Sequence, residues 1–499
     1  MRRPNLLFLY TDEQAYDTLA AYGNRRIQMP HLNRLAADAT VFERAYVTQP
    51  VCTPSRSTLL TGQWPHENGC TENNVPIRAE TRCLPEMLTG NGYVTGHFGK
   101  WHLGNEIFPQ HGFQDWRAID DGYYRYYSAD RPQDARSAYH HFLVRHGFEP
   151  GNGSRFTRPE AARLPEEYGK PAFLAGEASE FIRQHKDEPF VLYVNFFEPH
   201  MPYYGPRDGQ YALSEVGLPA SFAVPPTAEQ PLKTRAYREG YRDKGHSGLP
   251  LVTERDWRTL RSNYWGLCSL VDTHAGRILD TLRELELYDD TIIVFTSDHG
   301  DMMGAHQLTA KCVMFEESTR VPMLVKGAGQ KRGSRVTGPM SQIDVVPTLL
   351  ELLGAPRNPQ CQGRSLAQYV GTSGNAALDQ DVFVEWQGPN SGVVWEGGTE
   401  DPWVPTSMQD SLTPERLGRH ILDPVRSIVT ADGFKLNLST LGENELYDLD
   451  EDPGETRNLI AAPEHRSLVE ELTSRIRAWQ EESGDPALHD PGFANPEGW

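Results

Sequence analysis

The 499-residue chain has few cysteines and no pattern in them. Cys52, Cys70, Cys83, Cys268, Cys312 and Cys361 lie far apart with no CxxC pair. That excludes a disulfide framework and leaves reduced thiols as the expectation. No apolar run reaches the length that spans a bilayer. The opening MRRPNLLFLYTDEQ holds only Leu6 to Tyr10 before it meets Asp12, too short for the apolar region of a secretory signal. It reads as a first buried strand, and the cytoplasm is the expected location. Positive charge is also scarce: 48 Lys and Arg against 68 Asp and Glu leave a net charge of −20. Nucleic acid and anionic membranes are met by clustered Lys and Arg, so neither is an expected partner, although a local basic pocket remains compatible with this balance. There is no internal repeat or low-complexity tract.

What is present is alternation. Short apolar runs each end in a polar cluster: NLLFLY before Thr11, Asp12 and Glu13; GYVTGHFG before Lys100 and His102; PFVLYVNFFEP before His200; DTIIVFTS before Asp298 and His299. Between them lie helical spacings at HLNRLAADATVFERAY, at 173–185, from Trp257 to Leu287, and at SQIDVVPTLLELLG, which stops at Gly354. Strands alternating with helices predict an α/β fold with a large, mostly parallel sheet flanked by helices. Ligands of such sheets sit beyond the carboxyl ends of the strands, so the four polar clusters predict one shared site. Residues 1–370 form the expected larger domain. A smaller C-terminal α+β domain is expected over 371–499, with a hairpin turning at Asp432-Gly433, a strand in ENELYDLDEDPGE and a helix in HRSLVEELTSRIRAWQEE. The stretches 105–170 and 201–255 read as long rim loops.

Within QPVCTPSRSTLLTG, Cys52 precedes a helix read as starting near Pro54 and capped by Gly62. An anion is favoured at that positive helix end, and Arg56 falls one turn later on the same face. Asp12-Glu13 would repel at a strand end unless a cation bridges them. Asp298 and His299 repeat the arrangement, so a metal site is expected; oxygen-rich ligands suit calcium, and the imidazole leaves manganese open. Lys100, His102, His200 and Lys311 are the set able to hold an oxyanion and move protons. His274, inside the long helix, reads as structural.

CTPSR followed by STLLTG resembles the signature of the type I sulfatases, in the alkaline phosphatase superfamily. GHFGKWHLG, TSDHG, AKCVMFEESTRVPMLVK and LYDLDEDPGETRNL resemble that family's other segments, in order and over nearly the whole chain. The resemblance implies that Cys52 is oxidised by a formylglycine-generating maturation enzyme to Cα-formylglycine, with Pro54 and Arg56 part of the recognised motif. It implies Asp12, Glu13, Asp298 and His299 as metal ligands together with the group at position 52. It also implies a two-step displacement: the hydrated aldehyde attacks sulfur, His200 or Lys311 protonates the leaving alcohol, and His102 removes the second hydroxyl's proton so that sulfate is expelled. Lys100, Lys311 and Arg56 would offset charge, and Asn73, Lys100, His200 and Lys311 would touch the substrate.

Most sulfatases carry two aspartates where this chain has Asp12-Glu13. The phosphonate and phosphodiester hydrolase branch carries Asp-Gln there, and Asn73 matches an asparagine of that branch. Lys100 and His102 follow the sulfatase pattern, so a sulfate monoester is the first reading and a phosphonate or phosphate diester the second. Tyr123, Tyr124, Tyr126 and Tyr127 lie in an expected rim loop where they would stack on a sugar, cage a quaternary ammonium, or simply pack. The expected substrate is a carbohydrate or small alkyl or aryl sulfate, and a homo-oligomer is a compatible assembly.

Overall fold

Among the described residues thirteen strands carry the architecture: β1 (Asn5–Asp12), β2 (Thr40–Tyr46), β3 (Val94–Gly99), β4 (Asp115–Arg117), β5 (Phe190–Pro199), β6 (Thr291–Ser297), β7 (Arg320–Lys326), β8 (Ser334–Ser341), β9 (Ala376–Ala377), β10 (Val382–Trp386), β11 (Val425–Val429), β12 (Phe434–Ser439) and β13 (Glu445–Asp448). The computed structural model describes residues 3–224, 227, 229–372, 374–387, 393, 395–399 and 401–489. The first nine strands form one sheet in the order β4-β3-β5-β1-β6-β7-β2-β8-β9. Only β7 runs antiparallel to its neighbours β6 and β2; every other pairing is parallel.

β1 is buried along its whole length because the sheet is covered on both faces. The period-2 alternation of a strand sends its side chains to two cores. Leu7 and Leu9 pack with residues of helices Pro30–Asp38, Lys170–Gln184 and Glu254–Glu284, whereas Leu6, Phe8 and Tyr10 pack with residues of Cys52–Thr61 and Val345–Leu352. In register, Thr11 lies beside Ser297, Asp12 beside Pro199, and Gly99 beside Asn195. The carboxyl ends of β1, β3, β5 and β6 therefore line up at one edge, as the sequence alternation requires.

The helical reading of HLNRLAADATVFERAY holds only to Asp38. Ala39 turns extended, and Thr40–Tyr46 forms β2 between β7 and β8. β-branched and aromatic residues there fit a pleated surface, and pairing on both sides overrides the helical spacing. The stretches expected as loops also contain helices, at Ala138–Arg145, Arg158–Ala162 and Leu232–Lys244.

A second, antiparallel sheet has the order β10-β11-β12-β13 and turns between β11 and β12 at Gly433, whose φ is +90°. It starts at Val382, while Ala376–Ala377 still pairs with β8 of the large sheet. Helix Arg466–Ser483 covers one face through Leu472 and Ile476; Val384, Trp386 and Val429 on the other face join the large core. Residues 490–499 of the expected C-terminal domain lie outside the described residues. No helix among the described residues is long and apolar enough to cross a membrane.

A buried ion cluster locks the two sheets together. Lys435 Nζ on β12 lies 3.2 Å from Glu316 Oε1 and 2.9 Å from Glu455 Oε1, and Tyr46 donates from β2 to Glu316 Oε2 at 2.9 Å. Removing one partner of such a cluster leaves an uncompensated buried charge, which costs about 3–5 kcal/mol. Lys435→Met is therefore expected to lower the unfolding free energy by about that amount in denaturant titration. Burial already pushes the Glu455 carboxyl up against the pull of Lys435. A folded-state carboxyl with a raised pKa binds protons more tightly than the unfolded one, so its contribution improves as pH falls. The deficit of the variant should then be smaller at pH 6 than at pH 8; an equal deficit at both would contradict the ion-cluster explanation.

Candidate active site

Asp12 ends β1, and Asp298 and His299 come directly after β6 on the neighbouring strand. The backbone turns sharply at both places. Glu13 adopts φ +68°, and its N–H donates to Asp298 Oδ1 at 3.0 Å. His299 N–H donates to the same oxygen at 2.8 Å. Gly300 is required next, because a Cβ there would lie 2.0 Å from the Glu317 carbonyl oxygen. Gly99, before Lys100, is equally constrained: its φ is +120°, and a Cβ would lie 1.9 Å from the Asn195 carbonyl oxygen.

Helix Cys52–Thr61 brings the third component, and all ten of its residues are buried. Cys52 is its first residue and Val51 its extended N-cap, so Pro54 is the third residue and not the first. Proline is tolerated there because the first turn's N–H groups have no intrahelical partner. Gly62 closes the helix at φ +69°, as its position in the sequence suggested. Arg56, wholly buried, donates from Nε to Asp298 Oδ2 at 2.9 Å, from Nη2 to Asp12 Oδ2 at 3.0 Å, and from Nη1 to the Lys100 carbonyl at 2.9 Å. Lys100 Nζ completes an ion pair with Asp12. Burial alone would raise the Asp12 carboxyl, but Lys100 above all, with Arg56 and Lys311, holds it well below the usual carboxylate range.

Cys52 Sγ points into this cluster, 3.2 Å from His299 Nε2 and 3.8 Å from Asp12 Oδ1. Burial and Asp12 push the thiol up, yet Lys100, Lys311 and His299 outweigh them and bring it down to about 7. The other five cysteines are buried thiols, none disulfide-bonded.

Opposite lies the set expected to move protons. Lys311 Nζ is 3.0 Å from Glu13 Oε2 and 3.1 Å from His200 Nε2. Lys311 sits between two non-glycine residues in left-handed backbone, Ala310 at φ +61° and Cys312 at φ +80°, a strain of order 1 kcal/mol each that the surrounding packing must hold. Burial, then Lys311, keeps His200 largely neutral; burial, then Lys100, does the same for His102. The His102 ring lies against Tyr123 with centroids 4.4 Å apart. The site is closed in: Cys52 is 2%, His102 7%, His200 7% and Lys311 8% exposed.

Asp12, Cys52, Asp298 and His299 offer ligand atoms that all lie within 4.8 Å of one another. His299 Nδ1 lies 2.9 Å from the Gly300 carbonyl, which places a proton on Nδ1, and Nε2 faces Asp12 and Asp298 at 3.8 and 3.5 Å. Two buried carboxylates and an imidazole fit a divalent cation. Glu13 stands apart from this quartet, grouping instead with Asp12 and His200, and its Oε1 is buried with no protein partner. Asn73 Oδ1 accepts from Thr53 N–H at 3.3 Å, at the start of the Cys52 helix. His274 lies elsewhere, 3.5 Å from Glu166.

Sequence reasoning passed over Thr53, Asn74 and Glu106. Thr53 Oγ1 donates to the His102 carbonyl at 2.7 Å, His102 Nε2 meets Asn74 Oδ1 at 2.9 Å, and Glu106 accepts the N–H groups of Trp101 and His102 at 2.8 and 2.6 Å. The doubled asparagine in ENN and a carboxylate four residues after His102 were the available signals. Of the tyrosines, Tyr123 reaches the site, whereas Tyr127 packs against Phe108 and Tyr126 is 47% exposed. The four do not form a cage.

The family model described as Sulfatase matches residues 4–355. A choline-sulfatase of Rhizobium meliloti is 28% identical over 98% of this chain and 89% of its own length. Two solved structures share the fold. A phosphonate monoester hydrolase from Silicibacter pomeroyi superposes with a TM-score of 0.75 at 23% identity, covering 98% of this chain and 97% of that one. A protein in complex with its substrate D-glucosamine-2-N,6-O-disulfate superposes with a TM-score of 0.74 at 21% identity, covering 98% and 99%. At these identities the structural likenesses establish the fold alone, which is alkaline-phosphatase-like. The family match spans well over half the chain and coincides with the strand-end cluster just described, so the chain belongs to the sulfatase family of hydrolases.

Proposed function

We propose that the protein hydrolyses a sulfate monoester through a Cα-formylglycine made from Cys52 by a maturation enzyme. The observation that carries this reading is Cys52 as the first residue of a buried helix, its Sγ directed at His299 and Asp12. In the mature protein the atom at that Sγ position stands for a hydroxyl of the hydrated aldehyde. Asp12, Asp298 and His299 would hold the divalent cation, with Glu13 Oε1 a further free oxygen nearby; calcium is the first choice for this oxygen-rich set and manganese the second. When bound, such an ion supplies Lewis-acid polarisation and lowers the pKa of a hydroxyl.

The chain's own groups divide the remaining work. Lys100 and Lys311 place two buried ammonium groups beside position 52 and offset the charge of a sulfate. Lys311 Nζ and His200 Nε2, 3.1 Å apart, share the proton that the leaving alcohol needs. His102 is held neutral by burial and accepts a proton. The closed site suits a sulfate at the end of a small or saccharide alcohol. The relative named choline-sulfatase and the neighbour bound to a disulfated glucosamine support that substrate class. Glu13 and Asn73, together with the phosphonate monoester hydrolase neighbour, support a second reading in which phosphonate monoesters or phosphodiesters are taken.

Protein produced with a competent maturation enzyme should turn over 4-nitrophenyl sulfate at least about tenfold more efficiently than the matching phenylphosphonate monoester, by kcat/KM. The reverse preference would establish the second reading. Cys52→Ala should lose activity by at least about a thousandfold on both; full activity in that variant would refute both readings. His200→Gln and Lys311→Met should each cost about 10²-fold or more in kcat/KM on an alkyl sulfate. The loss should be far smaller on 4-nitrophenyl sulfate, whose leaving group needs no proton. Equal losses on the two esters would remove these residues from the general-acid role.

A further inference from the structure

Three histidines stand in the site, and their ring nitrogens are engaged differently. His299 uses Nδ1 on the Gly300 carbonyl at 2.9 Å and presents Nε2 to the carboxylates. His200 uses Nδ1 on the Met201 carbonyl at 2.9 Å and Nε2 on Lys311 at 3.1 Å. His102 uses Nε2 on Asn74 Oδ1 at 2.9 Å, and its Nδ1 is buried with no protein partner. Among these three rings that Nδ1 is the one nitrogen left free of the protein.

An amide oxygen can only accept, so a hydrogen bond at Asn74 Oδ1 requires the imidazole proton to sit on Nε2. In a neutral imidazole the other nitrogen then carries the lone pair. We propose that Asn74 is a positioning residue that fixes the tautomer of His102, keeping hydrogen on Nε2 and leaving Nδ1 as the site's unengaged proton acceptor. This rests on the sulfatase reading, in which His102 takes a proton from the hydroxyl at position 52.

The surroundings of the pair fit a part whose orientation is tightly held. His102 lies in left-handed backbone at φ +60° and Asn74 at φ +68°. Both loops are tied to the helix that carries Cys52: Thr53 Oγ1 donates to the His102 carbonyl at 2.7 Å and accepts from Asn74 N–H at 3.1 Å. Asn73 fastens the same point from its side chain to Thr53 N–H at 3.3 Å. Glu106 takes the His102 N–H at 2.6 Å, and Tyr123 closes one face of the ring. The two adjacent asparagines thus divide their duties, Asn73 on the helix start and Asn74 on the imidazole.

The test is long-range proton–nitrogen NMR at neutral pH on protein labelled with ¹⁵N-histidine and still carrying unmodified Cys52. The His102 signals are identified by their loss in His102→Gln. The expected result is a protonated Nε2 and an unprotonated Nδ1 in the wild type. Asn74→Asp, which still accepts, should keep that tautomer; Asn74→Leu should lose it or mix it with the other. In matured enzyme, Asn74→Leu should lower kcat by about tenfold or more with little change in KM, and Asn74→Asp should recover part of the loss. A proton on Nδ1 in the wild type, or an unchanged tautomer in Asn74→Leu, would overturn the proposal. The spectra need no turnover, so they read the tautomer even in a protein that fails on sulfate esters; a contrary tautomer would leave the sulfatase reading intact.

Discussion

One guanidinium holds the site together. Arg56 has no exposure to solvent, yet it binds Asp12 at the end of β1, Asp298 after β6 and the carbonyl of Lys100 after β3. Two wholly buried carboxylates on adjacent strand ends repel, and each charge is expensive out of water. The planar fork of arginine meets both at once, which a lysine's point charge does not. Arg56 also lies one helical turn after Cys52 and thereby sets where the helix start sits relative to the carboxylates. Losing it would leave paired charges unpaired and the helix unanchored.

The electrostatics around that pair run against the chain as a whole. A protein with a net charge of −20 concentrates Arg56, Lys100 and Lys311 around Asp12 and Cys52. The two lysines bring the thiol at position 52 down to about 7 although burial and Asp12 push the other way. A small anion entering such a place meets positive charge at short range inside low-dielectric walls. The strained backbone at Glu13, His102, Ala310 and Cys312 lies in the loops that aim these groups, where stored strain is expected when orientation matters more than local stability.

Much of this was legible in the sequence, for a definite reason. Parallel strands buried on both faces read as short apolar runs, and the residues at the carboxyl end of each run must emerge at the same sheet edge. Hence Asp12, Lys100, His102, His200, Asp298 and His299 could be gathered from the sequence alone. The segment Thr40–Tyr46 misled because its spacing suits a helix, while its partners in the sheet are hundreds of residues away. Pro54 looked like the helix start because proline is common there, but the first turn accepts it at the third position as well. Thr53, Asn74 and Glu106 escaped because they act by holding His102, and the loops at Asn74 and His102 turn at positive φ, which no periodicity records. Glu13 lay between both views: its position was found, whereas its turn away from the quartet toward Lys311 and His200 came only from the structure.

In the proposed mechanism position 52 is the precursor of the reactive group and not a working thiol. Mass spectrometry of the tryptic peptide Ala45–Arg56, from protein made with a competent maturation enzyme, tests this directly. The expected peptide is lighter by the exchange of one sulfur and two hydrogens for one oxygen, and an aldehyde reagent captures it at position 52. An unaltered Cys52 thiol in catalytically active protein would contradict the account.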